Sequence, residues 1–209
     1  MTVRLIDTRG IGDTRGIEKD KDNFRNILHH IATFDKLHGI CKLLKPKNSR
    51  LNIAFEYCIK EMLANLHNDT CRNIMFCFTN SQSTFYMPGD TMPALKKLLT
   101  DNKVNISVAR ENTFCVDNES VRYLASVKSR VTFEKQRQYY SDSWKTSLTE
   151  TERLMKHIAS VDLHYVRNTL SVNDARHMIL CFTKPIAEIT VNHSTNQKHQ
   201  RRAIYSHTL

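Results

Sequence analysis

Two acidic residues, each followed three positions later by glycine, stand near the start of the chain: Asp7-Thr8-Arg9-Gly10 and Asp13-Thr14-Arg15-Gly16. The first copy directly follows Val3-Arg4-Leu5-Ile6, a short apolar run that reads as a strand stopping at Asp7. The glycines at 10, 12 and 16 then predict a mobile loop. An acidic, glycine-ended loop at a strand end is the kind of piece from which a nucleotide site is built, although the pattern is short. The second copy lies in the mobile part of the loop, and its likeness to the first reads as accidental.

Other residue types with chemical potential are less organised. The six cysteines (Cys41, Cys58, Cys71, Cys77, Cys115 and Cys181) form no C-x-x-C pair. Most sit in apolar runs, so they read as buried free thiols of a reducing compartment rather than zinc ligands or disulfides. The ten histidines are scattered, and the adjacent His29-His30 lack metal-ligand spacing, so no metal is assigned to them. Tyr139, Tyr140 and Trp144 could stack on nucleic-acid bases, but they fit helix packing equally well.

The elements that would position these residues alternate between strand and helix. After the first loop, Phe24, Ile27, Leu28 and Ile31 recur at helical spacing behind an acidic start. Residues 37–44 (LHGICKLL) read as a strand, 45–50 as a turn, and 51–67 as an amphipathic helix. Residues 72–80 (RNIMFCFTN) form a nearly continuous apolar run, which suits the buried interior of a parallel sheet. A helix at 92–100, a strand at 104–109 and a strand end at 112–118 follow. This order predicts an α/β, doubly wound sheet. Beyond about 118–125 the strand signals fade, which divides the chain into an α/β part (1–120) and a helical extension with a basic tail (121–209). In the extension Phe133, Tyr140, Trp144 and Leu148 share a stripe. Thr149-x-x-Glu152 and Ser171-x-x-Asp174 read as capping boxes that open further helices.

Residues 5–24, LIDTRGIGDTRGIEKDKDNF, resemble the third motif of P-loop GTPases, hydrophobic-IDTPGxGDxxG, and the pattern is most similar to septins and immunity-associated GTPases. Residues 51–66, 72–91, 112–120 and 171–189 resemble later helices and strands of the same group, so the resemblance covers most of residues 1–189. It implies an incomplete G-domain sheet followed by a helical C-terminal extension, with GTP or GDP and magnesium as cofactors. Asp7 would hold the magnesium through a water, since a hard cation prefers oxygen ligands. Gly10 would present its N–H to the γ-phosphate, and residues 8–17 would be switch II. Thr79 and Asn80 stand where the base-reading motif belongs, and Asp117 sits near the fifth motif.

The departures from the pattern are equally specific. Arg9 replaces the usual proline, and Ile11 follows Gly10 where small Ras-like GTPases place the water-orienting glutamine. The motif [NT]-K-x-D is absent, with Thr79-Asn80-Ser81-Gln82 in its place, so no carboxylate there can make the paired guanine contact. The phosphate loop G-x-x-x-x-G-K-[ST] occurs nowhere in the sequence. The chain therefore reads as a G domain truncated before its third motif. That truncation would leave the strands at 3–7 and 74–80 without their shared neighbour, weaken or abolish nucleotide binding, and permit no GTP hydrolysis. A non-catalytic pseudo-GTPase interaction module is the alternative reading.

Composition sets the remaining bounds. The chain has 209 residues, 40% of them hydrophobic, with only five glycines and four prolines, which supports a core and argues against a disordered or fibrous chain. No apolar run is long enough to cross a bilayer and the N-terminus lacks signal-peptide features, so the expected location is cytoplasmic. The net charge is +10. Residues 1–120 carry 17 basic and 14 acidic side chains, and residues 121–209 carry 14 and 7. The excess suits an anionic partner but is more simply a solvated helical surface, and nucleic acid is not the expected partner. The relatives' habit of assembling through their G domains implies a homo-oligomer formed through that domain or the helices. Packing of the helices back onto the chain's own sheet is the simpler account.

Overall fold

A computed structural model describes residues 3–10, 15–47, 68–104, 106–131 and 136–169, with isolated helical positions at 60, 175, 179 and 183. The expected helix at 51–67 (apart from position 60), the capping box at Ser171, Phe133 and the basic tail lie outside the described residues.

The continuous apolar run at the centre of the sequence becomes the centre of the fold. Strand β3 (Ile74–Phe78) is buried at every position. It lies between β2 (Ile40–Leu44) and β4 (Thr113–Cys115) in a parallel sheet of order β2-β3-β4. Ile40 pairs with Ile74 and Leu44 with Phe78, while Phe76 pairs with Thr113 and Phe78 with Cys115. Because successive side chains of a strand point to opposite faces, an unbroken apolar run requires cover on both. One face carries Ile74, Phe76 and Phe78 against Phe24 and Leu28 of helix α1 (Ile17–Ile31) and Leu95 and Leu99 of helix α2 (Thr91–Asp101). The other carries Met75, Cys77 and Phe114 against Leu154, Ile158 and Val161. Leu154 and Ile158 belong to the long helix α4 (Arg137–Ser160). The described part is thus an α/β structure with helices on both faces of a small parallel sheet. Phe76, Phe78 and Phe114 are fully buried, and each contributes roughly 1.5–3 kcal/mol relative to an exposed ring.

Helix α3 (Glu119–Lys128) joins β4 to α4 and packs on the start of α4. Tyr123 stacks on Tyr140 with centroids 4.6 Å apart, and the Ser120 hydroxyl donates to the Tyr140 carbonyl at 2.7 Å. At the opposite end of the sheet, β1 (Lys36–Leu37) pairs antiparallel with β5 (His164–Tyr165). The Asn73 amide donates to the carbonyls of His38 and Asp162 at 2.9 and 2.6 Å, which ties these segments together. Among the described residues no helix is long and apolar enough to cross a membrane.

Several expectations need correction. Residues 3–10 form no strand; Val3 and Leu5 are exposed, and Arg4 lies over the Phe34 ring at 5.7 Å. The described residues of 104–109 are also irregular. Ile106 is buried and Val104 and Val108 pack on the core, so that apolar run anchors a connection rather than a strand. Ile74–Phe78 does not lack a neighbour, because β2 takes one side and β4 the other. The expected strand at 37–44 is broken at His38-Gly39 into β1 and β2. Thr149 opens no helix; it lies inside α4 with its hydroxyl on the Lys145 carbonyl four residues back, at 3.0 Å. Trp144 and Leu148 lie half-exposed on α4. The side of α4 that meets the sheet includes Ser143, Ser147 and Glu150.

Candidate functional site

In an open parallel sheet, ligand-binding residues gather in the loops outside the carboxyl ends of the strands. Here those loops are residues 45–47 after β2, 79–90 after β3 and 116–118 after β4. Main-chain bonds extend the ladder past the strands: Thr79 N–H donates to the Leu44 carbonyl at 2.8 Å and Val116 N–H to the Phe78 carbonyl at 2.8 Å. The Thr79 hydroxyl also donates to Leu44 O, at 3.2 Å.

Beyond Thr79 the chain turns sharply. Asn80, Phe85 and Tyr86 have φ values of 57, 53 and 57°, a left-handed conformation uncommon for residues with a Cβ. Such backbone persists only where its surroundings over-determine it, and the partners are visible. The buried Ser81 donates from Oγ to the Val116 carbonyl at 2.9 Å. Thr84 Oγ1 donates to the carbonyls of Ser81 and Met87 at 2.9 and 2.7 Å, and the Tyr86 hydroxyl donates to Ser143 Oγ at 2.7 Å. On the β2 side, Thr91 Oγ1 donates to the Lys45 carbonyl at 2.6 Å and Thr91 N–H to the Pro46 carbonyl at 3.2 Å.

Asp117 ties two of the three loops together. One of its carboxylate oxygens accepts the Gln82 N–H at 2.9 Å, and the other accepts the Glu119 N–H at 2.9 Å at the start of α3. Ser147 of α4 holds the Asp117 backbone from both sides, accepting its N–H at 3.0 Å and donating to its carbonyl at 2.9 Å. Asp117→Asn presents an NH2 group to one of two inward-pointing N–H donors. It is expected to cost about 1–3 kcal/mol, read as a lower urea midpoint at unchanged m-value.

This rim leaves some polar groups without a protein partner. Asn80 is exposed and its side chain makes no hydrogen bond to another described residue. Gln82 Nε2, two residues on, is buried with no hydrogen-bond partner among the described residues. Phe85, 90% exposed, and Met87, 62% exposed, project from the same loop.

Thr79 and Asn80 therefore stand at the end of β3, close to the turn held by Asp117. Asp7 and Gly10 lie in the irregular, exposed segment 3–10, and Asp7 makes no hydrogen bond or ion pair with another described residue. A Cβ added at Gly10 would meet no atom within 4 Å. Among the described residues no three His, Cys, Asp or Glu side chains are grouped to hold a metal ion.

One polar centre was not expected from the sequence. Glu150, buried on α4, takes a bidentate pair from Arg110 at 2.7 and 3.1 Å, a bond from Arg153 Nη2 at 2.6 Å and the Cys115 N–H at 3.3 Å. Arg153 also donates to the carbonyls of Arg110 and Thr113 and lies over the Phe114 ring at 4.1 Å. Burial alone would raise the Glu150 carboxyl. The bonds from Arg110, Arg153 and the Cys115 N–H outweigh it and hold the group at about 2. A polar residue on the sheet side of a helix reads as a solvated position until its partners are known. The only available hint is the polar run Ser143, Ser147, Glu150 at helical spacing.

Comparison of the chain with protein-family models, with curated protein sequences and with solved structures finds no match.

Proposed function

We propose that the chain is a GTPase-type α/β domain that receives the base end of a purine nucleotide at the β2–β4 strand ends and hydrolyses no phosphate bond. The observation that carries this reading is the meeting, on the Asp117 carboxylate, of the segments that resemble the fourth and fifth GTPase motifs. The open Asn80 amide adds the donor and acceptor chemistry that a base edge requires.

The residues do not fit a magnesium-phosphate centre to the same degree. Asp7 is a single exposed carboxylate, and Gly10 has open space around it instead of a cradle. No step is therefore assigned to a metal. Nor does the rim select guanine: the Asp117 carboxylate at the turn already accepts two backbone donors.

Saturation-transfer NMR with purine nucleosides and nucleotides tests the reading. The expected result is transfer to the base protons, similar for nucleoside and triphosphate and unchanged by magnesium. Asn80→Ala should weaken binding about 5- to 20-fold, the equivalent of one hydrogen bond of about 1–2 kcal/mol. Phosphate release from GTP should stay at the buffer rate. Magnesium-dependent turnover that Asp7→Ala abolishes would overturn the proposal, as would an Asn80→Ala variant that binds like the parent.

A second reading, a non-catalytic interaction module, is favoured by the exposed Phe85 and Met87 on a loop held in left-handed backbone. It is tested by the weight-average mass of the parent and of Phe85→Ser in sedimentation equilibrium. Self-association in the parent that is lost in the variant supports it.

A further inference from the structure

Cations and aromatic rings gather on the ribbon of β1 and β5. Lys36 pairs directly with Tyr165 across that ribbon, so the two side chains share one face. The Lys36 ammonium lies 5.0 Å from the Tyr165 ring centroid, and the Arg167 guanidinium lies 5.2 Å from the same centroid. Just before β1, Phe34 carries the Arg4 guanidinium at 5.7 Å. Arg4, Lys36 and Arg167 are exposed, and Tyr165 keeps 42% of its surface open. Energetically significant cation–π pairs occur roughly once per 70–80 residues. Here three fall on one short ribbon and the segment leading into it.

We propose that this ribbon binds single-stranded nucleic acid, with Arg4, Lys36 and Arg167 on phosphates and a base against the open surface of Tyr165. A single strand offers anionic phosphates and flat base faces side by side, and proteins take it with cations interleaved with aromatic rings. The ribbon holds both kinds of group within about 5 Å of one centroid. A duplex hides its base faces, and an acidic protein or lipid surface would use the cations but give the ring no role. The net charge of +10 draws a polyanion toward the chain. Asp35 and Asp162 are exposed beside the ribbon and oppose that attraction locally. Lys36 nevertheless makes no ion pair with a described residue and keeps its charge for a ligand.

Two of the aromatics that the sequence offers for stacking serve helix packing instead. Tyr140 stacks on Tyr123 with centroids 4.6 Å apart, and Tyr139 meets Tyr140 edge-on at 5.4 Å. The ribbon's set of residues is visible in no local stretch of sequence, because β1 and β5 meet only in the folded chain.

The test is fluorescence anisotropy of labelled oligothymidine with the full chain over a salt series. Thymidine offers no purine to the Asn80 rim, so the outcome stands apart from the reading of that site. The parent is expected to bind the single strand more tightly than a duplex of the same length. Tyr165→Ala should weaken binding about 5- to 20-fold at an unchanged salt slope, whereas Tyr165→Phe, which keeps the ring, should bind like the parent. Lys36→Gln should lower the slope of log affinity against log salt by about 0.7, the share of one phosphate contact on a single strand. Duplex or heparin bound as tightly as oligothymidine, with no effect of Tyr165→Ala, overturns the proposal in favour of unspecific charge attraction. So does a parent that leaves oligothymidine free, whether or not phosphatidylserine vesicles capture it. If Tyr165→Ala does not fold, the Lys36→Gln slope and the preference for single strand over duplex decide.

Discussion

Replacing Glu150 by alanine is expected to lower the stability of the fold by about 3–5 kcal/mol, because the change strands a half-buried charge as well as deleting a contact. Arg153 would remain over Phe114 with its carboxylate removed, and the Cys115 N–H would lose its acceptor. The effect belongs to the junction of α4 with β4 and the preceding turn, so it should appear as a lower denaturant midpoint with loss of Phe114 packing. Arg110→Ala should cost much less, since that side chain is 65% exposed and its half of the pair is screened by solvent.

The same carboxylate gives the fold a directed acid sensitivity. Its folded value of about 2 lies below the ordinary 4.5. Its contribution is therefore complete above the unfolded value and is lost as pH falls from about 4.5 through about 2. The depression corresponds to roughly 3 kcal/mol at neutral pH. Glu150→Gln should remove this part of the acid dependence, so that the parent and variant stability curves converge toward pH 2. Curves that stay parallel over that window would show that Glu150 is not the group responsible.

The second large effect is expected at Gly89. A Cβ there would stand 2.6 Å from the Pro46 carbonyl oxygen, and the residue has φ +59°. Pro46 O is a backbone atom that already accepts the Thr91 N–H, so it cannot yield without breaking the link between the β2 loop and the start of α2. Gly89→Ala combines left-handed backbone strain of about 1–2 kcal/mol with overpacking of about 1–3 kcal/mol, a loss of roughly 3 kcal/mol in all. Gly10→Ala supplies the contrast: open space surrounds that position, and stability should change by less than about 0.5 kcal/mol. Thermal unfolding of the two variants side by side checks both statements. The Pro46–Gly89 contact also helps position the loop that carries Asn80, Gln82 and Phe85.

The sequence by itself determined what depends on local pattern. The apolar run at 74–78 could only be a strand covered on both faces, and the spacing of Phe24, Leu28, Leu95 and Leu99 made α1 and α2 helices with one buried side. The order of strand-end loops also followed from the chain, which put Thr79 and Asn80 directly after the central strand.

Tertiary structure decided everything that required a second segment. A helix satisfies its hydrogen bonds within itself, but a strand's partners lie elsewhere, so Val3–Ile6 and the described residues of 104–109 look like strands yet form none. Likewise the Thr149 capping pattern was overridden by a helix already running from Arg137, since one hydroxyl cannot compete with a continuous ladder packed on the sheet. Glu150 and Asp117 acquired their roles only through Arg110 and Arg153 and through the Gln82 and Glu119 amides. Arg153 and Glu119 are local partners, one helical turn and two residues away, but Arg110 and Gln82 come from other segments, and packing rather than residue order sets their distances.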